Sequence, residues 1–122
     1  MIQNSKKLLV SAIQKFNQFT IVKLIVDTPD HKLTTNITLV NHSIRACLYR
    51  RVDEVFQEGR TVYIVLPDTK KADGQVVVER IRQELKQRNS QVHLGVQMLS
   101  YPDDGRTEDE LTVKFEGEKE GA

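Results

Sequence analysis

The stretch RRVDEVFQEGRTVYIVLPDT, residues 50–69, decides the architecture of this chain. Two runs rich in β-branched and aromatic residues, Val52–Phe56 and Thr61–Leu66, are separated by a short turn that contains Gly59. A separation of this length predicts a β-hairpin. The LPDT sequence then ends the second strand, because proline cannot continue a hydrogen-bonded ladder. The flanking segments therefore have to supply the other strands of a sheet.

Upstream of the hairpin, the sequence predicts a helix, a strand and a second helix. The first helix has one apolar stripe: Leu9, Ile13 and Phe16. The strand is FTIVKLIVD, residues 19–27, which is apolar on both alternating faces apart from Lys23 and is therefore typical of a central strand. Thr34 or Thr35 can cap the second helix. Its stripe repeats at helical spacing: Ile37, Val40, Ile44 and Leu48.

Downstream of the hairpin, a third helix and a fourth strand are predicted. The helix begins at Asp68 or Thr69 and ends near Asn89, with charges around one apolar face: Val77, Ile81 and Leu85. In QVHLGVQML, residues 91–99, apolar residues alternate strictly, which predicts a strand with one apolar side: Val92, Leu94, Val96 and Met98. The predicted order is α-β-α-β-β-α-β.

This order predicts an α+β fold of the ferredoxin-like class. Without the leading helix it reads βαββαβ, an antiparallel sheet with helices packed on one face, plus an N-terminal helix. That helix serves either as a connector or dimer-forming element, or as a further layer on its own sheet. We assign residues 1–111 to one domain, in which Thr107 and Glu110 form a capping box for about one helical turn. Residues 112–122 are acidic and predicted to be a disordered tail.

Composition excludes several classes of function. A chain of 122 residues with net charge +1 carries no strong field for nucleic acid. It has no run of eighteen apolar residues, so no membrane insertion is expected. The single Cys47 cannot form an internal disulfide, and the three histidines lack metal-ligand spacing, so no cofactor is expected. We expect a cytoplasmic protein.

From residue 50 to residue 111, half of the chain, the sequence resembles the GGDEF family of diguanylate cyclases, which make the bacterial messenger cyclic di-GMP on a ferredoxin-like core. Four segments carry the resemblance, in the family's order and spacing: RRVD (R-x-x-D), VYIVLPDT, GQVVVERIRQEL and VHLGVQMLSYPDDGRTEDEL. Further upstream, Asp27 aligns with the family's first metal-binding aspartate. The guanine-holding N-D-x-x-G-H motif and the C-terminal AD-ALY-AK helix do not occur in this sequence. The chain therefore resembles a trimmed, degenerate member.

The resemblance implies that the cyclase chemistry is lost. That reaction needs carboxylates from two strands to hold metal ions against phosphates. Aligned on LPDT, the signature falls on Glu58-Gly59-Arg60-Thr61-Val62, so that Arg60 and Thr61 stand where acids are required. A cation there repels a metal, and Asp27 alone supplies too few oxygen ligands. We therefore predict no enzyme activity, no catalytic residue and no bound metal.

The same resemblance implies a ligand site at Arg50 and Asp53. In the family, R-x-x-D binds cyclic di-GMP as an inhibitor, since arginine matches the acceptors of guanine and a carboxylate matches its donors. Arg51 adds a charge that could meet phosphate, and Arg82 or Arg88 could supply a second arginine. The alternative for Arg50 and Asp53 is an exposed salt bridge. The predicted function is accordingly a non-catalytic signalling module of GGDEF type, with a cyclic di-GMP ligand or a partner protein. The alternative is a protein-interaction or dimerisation domain without a nucleotide.

Overall fold

The computed structural model describes residues 2–47, 54–88 and 92–120. Its helices and strands are α1 (Ile2–Lys15), β1 (Phe19–Asp27), α2 (Leu33–Cys47), β2 (Glu54–Glu58), β3 (Thr61–Pro67), α3 (Lys71–Gln87), β4 (His93–Tyr101) and α4 (Glu108–Glu120). A 3-10 turn, Asp30–Lys32, leads into α2. The predicted order of elements is confirmed, and α4 follows it.

The four strands form one antiparallel sheet in the order β2-β3-β1-β4. Val22 of β1 lies opposite Ile64 of β3 and Met98 of β4, so β1 is the central strand that its apolar sequence predicts. Asp68 ends β3 with a φ of 51°, a left-handed conformation that aspartate tolerates better than most residues. Together with α2 and α3, the sheet confirms the predicted ferredoxin-like α+β fold.

One face of the sheet packs against α2 and α3. Val22, Leu24 and Val26 of β1 point to this face and are fully buried against the apolar stripes of the two helices. Helix α3 approaches closely at Gly74, where an added Cβ would lie 3.2 Å from the Met98 sulfur. Of the predicted α3 stripe, Ile81 and Leu85 are buried and Val77 is partly buried, while the fully buried positions also include Gly74 and Val78.

The opposite face of the sheet packs against α1 and α4. Leu9 and Ala12 of α1 and Leu111 of α4 are buried against Phe19 and Ile21, which alternate with the residues of the first face. Of the two roles that the sequence left open for the N-terminal helix, packing on its own sheet is therefore the one observed. Two hydrophobic cores result, one on each side of β1.

Helix α4 differs from the sequence prediction. Half of the predicted capping box is present, since the Thr107 hydroxyl accepts the Glu110 N–H at 3.2 Å, and the Glu110 carboxylate reaches past the N-cap to accept the Arg106 N–H at 3.4 Å. The helix then continues to Glu120 instead of giving way to a disordered tail at residue 112. Leu111 anchors it because this side chain is fully buried in the second core. Within the described ranges, no helix combines the length and the apolar content of a bilayer span.

Candidate functional site

The hairpin turn between β2 and β3 lies against the end of β1. Gly59 takes a positive φ of 58°, which the tight turn requires and which glycine adopts at least cost. The Val26 N–H then donates to the Arg60 carbonyl at 2.8 Å, extending the β1–β3 ladder to the turn. The backbone therefore brings Arg60 next to the segment that follows β1.

The Arg60 guanidinium is directed towards its own chain. Its Nη1 donates to the Thr28 carbonyl at 2.5 Å, and its Nη2 forms an ion pair with the Asp30 carboxylate. The Thr28 hydroxyl in turn accepts a hydrogen bond from Asn36 on α2 at 2.5 Å. We call these four residues the Arg60 corner. Sequence reasoning identified Arg60 but missed its partners, because Asp30 lies 30 residues away and no local pattern links them.

An open groove of about 600 Å³ adjoins the Arg60 corner. It runs between the end of β1 and the start of β4, with Asp27, Thr28, Arg60 and His93 among its lining residues. Asp27 is exposed. The groove therefore combines one carboxylate, one guanidinium and one imidazole at the end of the sheet where the resemblance places a catalytic site.

The donor set of this groove does not fit Mg²⁺. Such an ion prefers several oxygen ligands in octahedral geometry, whereas the hairpin presents a guanidinium, which has no acceptor. Among the described residues, no group of three or more histidine, cysteine, aspartate or glutamate side chains is arranged to hold a metal ion. The described side chains of the groove therefore suit contacts through charge and hydrogen bonds and not metal coordination.

The predicted ligand-binding residues Arg50, Arg51 and Asp53 lie outside the described residues, so their assignment stays a prediction. Of the two candidate second arginines, Arg82 lies on α3 and Arg88 directly follows it. Arg82 pairs with Glu79 at 3.1 Å, and the Arg88 Nε lies 3.8 Å from a Glu84 carboxylate oxygen. Both arginines thus interact with glutamates of α3, and both remain more than a third exposed.

A second polar cluster, at the opposite end of the sheet, was not predicted. The Asp104 carboxylate accepts the Ser100 N–H at 2.7 Å and pairs with Lys71 at 2.8 Å and Lys114 at 3.8 Å. Burial raises the pKa of Asp104, but the hydrogen bonds from Lys71 and Ser100 and the nearby lysine charges outweigh it, so the pKa lies below its usual value. We call these four residues the Asp104 corner; it joins α3, β4 and α4.

Cys47 is a core residue, as its place on the α2 stripe predicts. It is buried beside a groove of about 570 Å³ between α2 and α3. Burial, with the charge of Glu84, raises the pKa of the Cys47 thiol. A thiol held protonated in this way is a weak nucleophile, so Cys47 contributes packing to the first core.

Comparison with solved structures identifies the fold. A DGC protein from Thermotoga maritima superposes with a TM-score of 0.74 at 14% identity, over 94% of this chain and 88% of the other. A truncated TpbB (YfiN) from Pseudomonas aeruginosa that comprises only the GGDEF domain gives 0.61 at 18% identity, over 90% and 73%. The diguanylate cyclase SiaD from the same organism, solved with its activator SiaC, gives 0.64 at 16% identity, over 89% of this chain but only 50% of SiaD.

Neither a protein-family model nor a curated protein matches the sequence. The structural likeness at 14–18% identity establishes the fold, and the chain has the fold of GGDEF domains. The resemblance drawn from the sequence is therefore confirmed at the level of the fold.

Proposed function

We propose that the chain is a non-catalytic signalling module on the GGDEF fold, which acts by binding and not by turnover of GTP. The observation that carries the proposal is the Arg60 guanidinium, held by the Thr28 carbonyl and the Asp30 carboxylate at the hairpin turn. A cyclase needs acidic oxygens at this turn so that metal ions can neutralise the triphosphates.

The Arg60 corner supports the proposal in two ways. The guanidinium supplies a fixed positive charge that repels a divalent cation, and it offers no lone pair for coordination. The Asp30 carboxylate, which lies beside the turn, is already engaged by that guanidinium. Among the described residues that line the groove, Asp27 supplies one exposed carboxylate, which is too few ligands for Mg²⁺.

The proposed absence of cyclase activity is tested by incubating the protein with GTP and Mg²⁺ or Mn²⁺. We expect no pyrophosphate release and no cyclic di-GMP by chromatography, under conditions in which an active diguanylate cyclase is assayed in parallel. Clear turnover would contradict the proposal.

For the ligand we propose cyclic di-GMP, bound through Arg50 and Asp53 with Arg51 near a phosphate. A guanine edge offers two acceptors to a guanidinium fork and two kinds of N–H donor to a carboxylate. A charged hydrogen bond of this kind is worth about 1.5–3 kcal/mol, so Arg50→Ala should weaken binding roughly 10- to 100-fold.

Calorimetry with cyclic di-GMP measures this directly. The matched control is Arg106→Ala, which removes an exposed arginine from the loop before α4. We expect binding by the wild type and the control and a loss with Arg50→Ala. If the wild type gives neither heat nor a melting shift, the cyclic di-GMP version is wrong and a module that binds only protein is supported.

A protein partner is the second candidate, and the solved complex of SiaD with its activator SiaC supports it. SiaD, of which this chain covers half, thus binds a protein partner, and we extend partner binding to this chain as a proposal. Such a module would act through protein interaction or dimerisation without a nucleotide.

A further inference from the structure

Strand β4 forms one edge of the sheet, next to β1 and with no strand beyond it among the described residues. In an antiparallel ladder the N–H and C=O of one residue point to the same side, and successive residues alternate between the two neighbours. Every second residue of β4 therefore directs its backbone away from β1.

The hydrogen bonds of β1 decide which residues of β4 these are. The Val26 N–H donates to Arg60 and the Gln18 carbonyl accepts from Asp68, so even-numbered residues of β1 bond to β3. Odd-numbered residues of β1 then bond to their β4 partners, which include Gly95 and Gln97. The residues of β4 whose backbone N–H and C=O point away from β1 are therefore Leu94, Val96, Met98 and Ser100.

The hydrogen bonds of Ser100 independently confirm that its backbone groups point away from β1, and they mark the residue at which the open part of the edge ends. Its N–H donates to the Asp104 carboxylate at 2.7 Å, and its carbonyl accepts the Asp104 N–H at 2.8 Å. Both outward groups of Ser100 are thus satisfied by the following loop. For Leu94, Val96 and Met98, no described residue forms a hydrogen bond with the outward N–H or C=O.

The open part of this edge also lacks the usual protection against strand pairing. Natural edge strands carry charges, proline or bulges, or are very short. Residues 94–101 contain no charged residue and no proline, and β4 is 9 residues long. The other edge strand, β2, is 5 residues long and begins and ends with glutamate.

We propose that two copies of this chain pair through β4, antiparallel and centred on Val96, and so join two 4-stranded sheets into one. In this register Leu94 lies opposite Met98 of the partner copy, and Val96 lies opposite the partner's Val96. The N–H and the C=O of each of the three residues bond to the residue opposite in the partner copy, which gives about six hydrogen bonds across the pair.

A second copy fits this edge better than a foreign strand. One register pairs all three open residues, Leu94, Val96 and Met98, and ends before Ser100, whose backbone groups already bond to Asp104. This register is symmetric about Val96, so the two copies contribute the same surface and the interface is isologous. It places apolar side chains, which are only partly buried in one copy, against apolar side chains of the other. Gly95, opposite the partner's Gln97, adds no side chain that could obstruct it. The pairing is independent of the proposed nucleotide site, since it needs neither a nucleotide nor Arg50, and it gives the second candidate function, dimerisation, a specific surface.

Hydrogen exchange on the wild type tests the pairing without any substitution. Amide exchange is measured by NMR at low and high protein concentration, with sedimentation velocity at the same concentrations. We expect the amides of Leu94, Val96 and Met98 to become protected as a dimer forms. The amides of Gly95 and Gln97, which bond to β1, should be protected at both concentrations and serve as the internal control.

The matched variants are Val96→Glu and Val55→Glu, one on each edge strand. Val96→Glu sets two like charges opposite each other, about 5.5 Å apart, and should weaken the dimer tenfold or more. Val55 is 44% exposed on β2, so Val55→Glu should leave the dimer unchanged. A protein that stays monomeric, with fast exchange at Leu94, Val96 and Met98 at every concentration, overturns the proposal. The proposal is also overturned if Val55→Glu dissociates the dimer while Val96→Glu, shown to be folded by circular dichroism, leaves it intact.

Discussion

The two ends of the sheet each hold an aspartate against a cation, but in very different surroundings. At the Arg60 corner the Asp30 side chain is 96% exposed and its contact is the guanidinium from the hairpin. At the Asp104 corner the aspartate side chain is 16% exposed and accepts a backbone N–H as well as pairing with lysines of α3 and α4. We therefore expect the same chemistry to have a small effect on folding at one end and a larger one at the other.

Energetic magnitudes support this division. Exposed ion pairs contribute about 0–1 kcal/mol, because water screens them and two long side chains lose freedom. A shielded carboxylate that satisfies a backbone donor and two cations contributes more, about 1.5–3 kcal/mol for its charged hydrogen bonds. The Asp104 corner thus holds elements from both faces of the sheet together. The Arg60 corner can change in sequence at little cost to the fold.

The largest effect is expected for Asp104→Ala. The substitution leaves the Ser100 N–H and the Lys71 ammonium without their shared acceptor, and it leaves only the backbone hydrogen bond to the Ser100 carbonyl between residue 104 and β4. The free energy of unfolding should fall by about 2–3 kcal/mol, measured by urea denaturation at neutral pH. The neighbouring Asp103 is exposed, so Asp103→Ala is the matched control and should change stability by less than about 0.5 kcal/mol. Equal losses from the two variants would mean that the Asp104 corner is not structural.

The pH dependence checks that the Asp104 charge is responsible. Because the folded-state pKa of Asp104 lies below the ordinary value of about 3.9, its contribution is fully present above that pH and is lost as the pH falls through the folded-state pKa. The stability difference between the wild type and Asp104→Asn should therefore be constant from pH 5 to 7 and shrink below about pH 4. A difference that persists unchanged at the lowest pH at which both proteins fold would assign the effect to shape and not to charge.

The first face of the sheet could be predicted from the sequence because its cause is local. β1 is apolar on both alternating faces apart from Lys23, and the stripes of α2 and α3 repeat at helical spacing, so these sequence patterns place their core. On the second face, the packing of α4 depends on Leu111, a fully buried residue in a segment whose acidic, glycine-containing composition favours disorder. One anchor does not make a periodic pattern, and so the length of α4 was missed.

Neither corner could be predicted in full, because its partners are far apart along the chain. Lys71 and Asp104 are separated by 33 residues, and Arg60 and Asp30 by 30. Two charged residues so far apart in sequence cannot be recognised as partners until the sheet register is known. The resemblance to the GGDEF family nevertheless singled out Arg60, since it compares each position with a known signature instead of a periodicity.

The smallest effect is expected for Arg60→Met, which replaces the methylene stem of arginine with an unbranched apolar chain of similar length and removes the charged guanidinium. Its partner Asp30 is almost fully exposed and Arg60 itself is 36% exposed, so the free energy of unfolding should change by less than about 1 kcal/mol. A double-mutant cycle with Asp30→Ala, measured by urea denaturation, should give a coupling below about 0.5 kcal/mol. A loss as large as that of Asp104→Ala would remove the distinction between the two corners, because Arg60 would then be retained for stability. A small loss leaves the fold intact without the guanidinium, so that any change in ligand or metal binding by the variant reports on the site itself.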